Sequence, residues 1–216
     1  MAVKSYALTT AQRAADFAGL GTLSGTKLTQ MERLVDSVTE FVENYLGYRV
    51  KKASYTNEEY DTEDAQMLLL KNFPVDSAES FVLQRRTSAL NEAEWETVDS
   101  QYYHVDTNAG IVYGASGWKF SRTRRGYRVS YTAGYNFDNL TTYLSDTEGG
   151  DIELAAWMLL SLLWDIRKGG VGVESERIGD YAVTYRRLLM ENEDIQTLLD
   201  KHARMDTFGV LTPLQE

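Results

Sequence analysis

The chain has 216 residues, 22 basic against 32 acidic, a net charge of -10, 43% hydrophobic residues and no cysteine. That is enough chain for one substantial core or a core with a smaller appended layer, and the composition excludes wholesale disorder. The acid excess argues against free nucleic-acid binding, which phosphate neutralisation drives, although an acidic wall suits a channel that repels a duplex. Absent cysteines exclude disulfides, thiolate nucleophiles and Cys-ligated metals. The first residues lack the apolar core of a signal peptide and the longest apolar run, 154–164, is too short to span a bilayer, so a soluble cytosolic product is expected.

Thr9 or Thr10 is placed to cap a short helix through Ala18, with Gly19 at its C-terminal stop. From 27 to 46, Leu28, Met31, Leu34, Val35, Val38, Phe41, Val42, Tyr45 and Leu46 repeat at three- and four-residue steps, the stripe of a helix packed on a core, and Gly47 ends it. Short strands and turns follow over 55–135. Residues 91–96 read as a polar connection, 102–105 and 110–113 as a hairpin, and 122–126 as a basic turn. Val129 and Tyr131 alternate with Arg128, Ser130 and Thr132, and Gly134 lets the strand turn out of its sheet. Strands that succeed one another through short polar turns imply an antiparallel sheet.

The helix predicted over 151–168, with Asp151 as its cap, is apolar nearly all round. Such a helix must be covered on every side. Either a central core position or a subunit interface through Trp157 and Trp164 satisfies that requirement. Gly169, Gly170 and Gly172 then form a loop, 181–185 reads as extended, and a last helix is predicted over 193–204 with its acids first and its bases last. The segment 205–216 carries Phe208, Val210, Leu211 and Leu214 but is broken by Gly209 and Pro213. Those side chains need cover, from their own subunit or, as the favoured reading, from a partner groove. The fold class expected is α+β: a helical bundle from 9–50 and 151–204, with an antiparallel β insertion at 55–135 and a tail at 205–216.

No catalytic constellation stands out. His104 and His202 are far apart and read as structural. Asp146, Glu148, Asp151 and Glu153 do not meet calcium-loop spacing, and the glycines at 169–172 lack the Lys-Ser/Thr ending of a phosphate loop. Glu58, Glu59 and Asp61 are the acids from which a glycosidase-type carboxylate pair could be drawn. No metal or cofactor is expected. Arg122, Arg124, Arg125 and Arg128 form the dense basic patch, facing solvent, an acidic neighbouring subunit or DNA phosphate.

Several segments resemble the head–tail connector, or adaptor, proteins of long-tailed double-stranded DNA bacteriophages. They are the helix ending Tyr45-Leu46-Gly47-Tyr48-Arg49, then Tyr60-Asp61, Leu68 to Val75, Gly110-Ile111-Val112, Val129 to Tyr135, and Asp151-Ile152 opening a helix. The order matches from about 9 to 204; the longer loop at 136–150 replaces a proline usual in such proteins. The resemblance implies a structural virion protein of the neck, made in the host cytoplasm and without enzymatic chemistry. It implies a ring, usually of twelve copies, that sits beneath the portal and extends the DNA channel. Its partners would be the portal, neighbouring copies and a stopper or tail-completion protein, with DNA passing unread and no membrane contact. Phe208, Val210, Leu211 and Leu214 would then anchor on the portal. A stopper or tail-completion role in the same neck, and a carboxylate-based hydrolase, are the alternatives.

Overall fold

The computed structural model describes residues 3–62, 66–87, 94–137, 149–168 and 192–203, with 167 and 168 as backbone. The chain divides into two units, Met1–Gly47 with Asn136–Glu216, and Tyr48–Tyr135. The first is helical in its described residues and the second is built on antiparallel sheets, so the class is α+β.

In the helical unit, Thr10 caps α1 (Ala11–Phe17), its hydroxyl accepting from the Arg13 N–H at 3.2 Å. α2 (Gly25–Leu46) buries Met31, Leu34, Val35, Val38, Val42 and Leu46, and Gly47 closes it in the left-handed region at φ 80. α3 (Gly150–Lys168) touches α1, α2 and α4 (Glu193–Asp200), which accounts for the buried part of its apolar surface. Asp151 lies inside the first turn of α3 rather than capping it, and its carboxylate meets Lys201 at 3.1 Å.

Among the described residues a bundle made of long helices alone is not what forms. α2 and α3 have 22 and 19 residues, whereas α1 has 7 and α4 has 8. α4 stops at Asp200, short of the predicted 204, because the N–H groups of His202 and Ala203 bond three residues back, to Leu199 and Asp200, which tightens and ends the helix. The predicted loop at 169–172, the extended stretch at 181–185 and the segment 205–216 lie outside the described residues.

α3 and α1 are joined by a buried charge. The Glu153 carboxylate is almost fully enclosed and meets the Arg13 guanidinium at 2.9 Å, and Arg13 also donates to the Phe137 carbonyl. Burial pushes the Glu153 carboxyl above its ordinary range, with the Thr9 hydroxyl and the Arg13 cation pulling the other way. Trp157 stacks on Phe17 and donates its indole N–H to the Thr9 hydroxyl at 2.9 Å.

The β unit holds two sheets. The larger orders its strands β1 (Ala53–Thr62), β7 (Thr123–Ala133), β3 (Val82–Arg86) and β4 (Trp95–Thr97); the smaller orders β2 (Met67–Leu69), β6 (Ile111–Gly114) and β5 (Tyr103–Asp106). All pairings are antiparallel. β5 and β6 form the predicted hairpin, while β4 occupies part of the stretch read as a polar connection. β7 is paired on both edges, so it is the strand around which the larger sheet is laid. Tyr127, Val129, Tyr131 and Ala133 face inward with Leu83, Leu68 and Val112, and the two sheets share this core.

Two bulges shape β1 and β7. Tyr55 pairs with Tyr131 but Glu58 pairs with Val129, so β1 carries an extra residue at Asn57, which sits at φ 55 with its N–H donating to the Ser130 hydroxyl. The inner face of β1 therefore runs Tyr55, Glu58, Tyr60, Thr62 rather than in strict alternation. Further along, Tyr60 pairs with Tyr127 and Thr62 with Thr123, which places a bulge at 124–126 of β7; the basic turn predicted at 122–126 is this bulged strand.

Gly134 ends β7 at φ 103, its N–H donating to the Pro74 carbonyl at 2.8 Å. A Cβ there would meet the Val50 carbonyl oxygen at 2.7 Å and the Lys51 carbonyl carbon at 2.8 Å. Gly134→Ala is expected to destabilise the β unit by roughly 1–3 kcal/mol, read as a lowered urea midpoint; an unchanged midpoint would show that the corner relaxes without cost.

Candidate functional site

The bulge at Asn57 settles what the acids of β1 do. Glu58 points inward, and Glu59 lies on the opposite face with its carboxylate 3.6 Å from Arg125. Asp61 shares the outer face and accepts the Arg125 N–H at 2.6 Å. Successive residues on a strand project to opposite faces, so Glu58 cannot join Glu59 or Asp61 around one bond. Glu59 and Asp61 do share the outer face, but both are engaged by Arg125, one by its guanidinium and one by its N–H.

Glu58 instead organises a polar knot. The hydroxyls of Tyr60 and Tyr131 both donate to its Oε2, the second at 2.7 Å. Each hydroxyl also accepts a main-chain N–H, Tyr60 from Lys71 at 3.2 Å and Tyr131 from Asn72 at 3.3 Å. The Lys71 ammonium lies 3.5 Å from Glu58 Oε1 and over the Tyr60 ring, and the Asn72 side chain accepts the Arg49 N–H at 3.1 Å. Burial, then the hydrogen bond to Glu58, moves the Tyr60 hydroxyl far above its ordinary range; burial leads in pushing Tyr131 up to about 12. Both hydroxyls stay protonated and serve as hydrogen-bond hubs, not as acid–base groups.

The four arginines differ in how they are held. Arg122 immediately precedes β7, Arg124 and Arg125 lie in its bulge, and all three are exposed. Arg128 lies on the outer face of the larger sheet, its guanidinium 4.5 Å from the Trp95 ring and its Nε donating to the Gln84 side chain at 2.6 Å. Arg125 is held by Glu59 and Asp61, whereas Lys119, Arg122 and Arg124 make no ion pair or hydrogen bond with any described residue.

Trp157 and Trp164 are buried within the helical unit. The side of α3 that remains partly open carries Leu154, Met158, Leu162 and Ile166, one every four residues, with Ile166 44% exposed. The β unit has a second apolar surface. Met67, Leu69 and Tyr113 are about two-fifths exposed on the outer face of the smaller sheet, where Met67 pairs with Tyr113. Strand alternation was the signal for this surface: Leu68 and Val112 take the inner face, which leaves their neighbours outside. Among the described residues no group of three or more His, Asp or Glu could hold a metal ion, and no helix is long and apolar enough to cross a membrane. Phe208, Val210, Leu211 and Leu214, and the acids Asp146 and Glu148, lie outside the described residues.

The polar knot makes a paired prediction. Glu58→Ala removes the acceptor the two hydroxyls share; as they lie 3.3 Å apart one can donate to the other, which leaves one proton unpaired at an expected cost of about 2 kcal/mol, whereas Glu59→Ala on the exposed outer face is expected to stay within about 0.5 kcal/mol. Equal losses in chemical denaturation would contradict the two-faced assignment.

Two solved chains share this architecture. One belongs to the neck of an empty gene transfer agent particle computed with C6 symmetry; it is 15% identical, with 99% of this chain and 97% of that one covered and a TM-score of 0.52. The other, from the virion of a native gene transfer agent particle, is 16% identical with 99% and 96% covered and a TM-score of 0.54. At such identities the likeness is one of fold. No curated protein sequence matches the chain. The family described as Head completion protein matches residues 7–204. That match takes in both units and nearly the whole sequence, and the chain belongs to the head completion protein family.

Proposed function

We propose that this protein is a structural component of the virion neck that forms a ring beneath the portal, extends the DNA channel and offers a docking surface for the tail. The observation that carries the reading is the family match over residues 7–204, and the likeness in fold to a gene transfer agent neck chain supports it. Head completion is a structural task rather than a catalytic one, in keeping with Glu58 being used as a hydrogen-bond hub.

The geometry suits a ring. A subunit in a closed ring needs two different side surfaces, because the contact is heterologous and closes under rotation. The partly open stripe of α3 and the outer face of the smaller β sheet are two apolar surfaces on different units of the chain, of the kind that marks protein contacts. Twelve copies fit the resemblance to adaptors, and a ring of six or of twelve both satisfy the sixfold symmetry of the related neck. In this reading residues 9–50 and 151–204 with the inserted β region act as one connector domain. The portal receives Phe208, Val210, Leu211 and Leu214, a stopper or tail-completion protein binds on the far side, and DNA passes without sequence-specific contact. The net charge of -10 favours such passage by denying phosphates a grip.

Immunogold electron microscopy of DNA-filled particles tests the placement. Label confined to one vertex, at the neck, is the expected result, and particles without label would refute it. A chain lacking 205–216 is expected to fold but lose binding to portal rings; undiminished binding would remove the anchor assignment.

A further inference from the structure

We propose that the arginine bulge of β7 docks on the acidic helical unit of a second copy of this chain, an inference that rests on the ring assembly proposed above. The cations are concentrated. Lys119, Arg122, Arg124, Arg125 and Arg128 fall within ten consecutive residues that contain no acid, in a chain whose net charge is -10. Arg125 and Arg128 are already engaged within the β unit. Lys119, Arg122 and Arg124 are exposed and unpaired among the described residues.

The bulge is built rather than slack. Arg125 sits at φ 47 with its N–H fixed on Asp61, and a Cβ at Gly126 would meet the Thr123 Cβ at 2.4 Å. With the Thr62 hydroxyl donating to the Ser121 carbonyl at 2.5 Å, the backbone that carries Arg122 and Arg124 is tied to β1. Ordering these side chains against a partner costs less than ordering a floppy loop, since the backbone is already in place.

Complementary charge is present in the chain itself. Residues 48–135 hold 11 basic and 12 acidic side chains, and the remaining residues hold 11 basic and 20 acidic, so the helical unit carries an excess of nine acids. A cationic bulge on one copy and an acidic helical unit on the next make a head-to-tail contact, the kind that closes a ring. Such contacts also offset the repulsion among copies that each carry -10. Aimed at a duplex, the same arginines would bind phosphates and hold DNA that has to move, so a protein partner fits the neck better.

Carbodiimide joins an amine to a carboxylate only when the two are in contact. The full chain carrying Arg124→Lys would be assembled into particles and treated, and the covalent dimer of this chain isolated and its linked peptides sequenced. The expected link runs from Lys119 or the introduced amine to an Asp or Glu in 1–47 or 136–216 of a second copy. It is lost when salt is raised before treatment, and the triple variant Lys119→Glu, Arg122→Glu, Arg124→Glu fails to assemble while keeping the wild-type urea midpoint. Particles that contain the chain but yield no such link, or only links to another protein, overturn the inference. So does a triple variant that assembles normally and loses only retention of DNA on a filter. Particles that lack the chain altogether overturn the ring reading and the inference with it.

Discussion

A tyrosine hydroxyl has one proton to give and lone pairs to accept with, and the β unit depends on two of them being used in full. Tyr60 from β1 and Tyr131 from β7 both donate to the Glu58 carboxylate and both accept from the main chain, at Lys71 and Asn72. Residues 70–76 cross between the two sheets, where an unpaired N–H would cost free energy comparable to a lost hydrogen bond. The knot supplies partners for two of these groups. The Thr107 carbonyl accepts from Val75, the Thr132 carbonyl accepts from Asp76, and the Pro74 carbonyl takes the Gly134 N–H. The crossing segment is thus held from both sheets at once.

The same constraint explains why the bulge at Asn57 matters. Without the extra residue, strict alternation from Tyr55 would send Asn57, Glu59 and Asp61 inward and leave Glu58 and Tyr60 outside. With it, Tyr60 reaches the core and Glu58 reaches the two hydroxyls. The segments that carry the resemblance to connector proteins, Tyr60-Asp61, Leu68 to Val75 and Val129 to Tyr135, meet at this knot and at the Gly134 corner. Their shared role is to hold the β unit together, so a structural family leaves its mark on core geometry rather than on a catalytic centre.

The helical unit follows another logic. α3 is enclosed by α1, α2 and α4, and its one buried acid, Glu153, is tolerated because Arg13 and Thr9 stand against it. Trp157 is fixed by Phe17 and Thr9, which makes it part of the core of its own chain. The stripe from Leu154 to Ile166 is the part of α3 that stays partly open.

Local pattern alone determined a good deal. The three- and four-residue steps of α2, the caps at Thr10 and Gly47, the β5–β6 hairpin, the alternation of Val129 and Tyr131 and the corner at Gly134 were all legible, because each depends on neighbours close in sequence. The early end of α4 and the placement of Asp151 inside α3 were not, because three-residue hydrogen bonds and a contact to Lys201 decide them. Nor could the sequence assign Glu58 to one face and Glu59 to the other, or show that Arg125 and Arg128 are engaged within the β unit. A bulge adds one residue without changing composition or local propensity, and its consequence, which side chains face inward, is fixed only by register against a partner strand some 70 residues away.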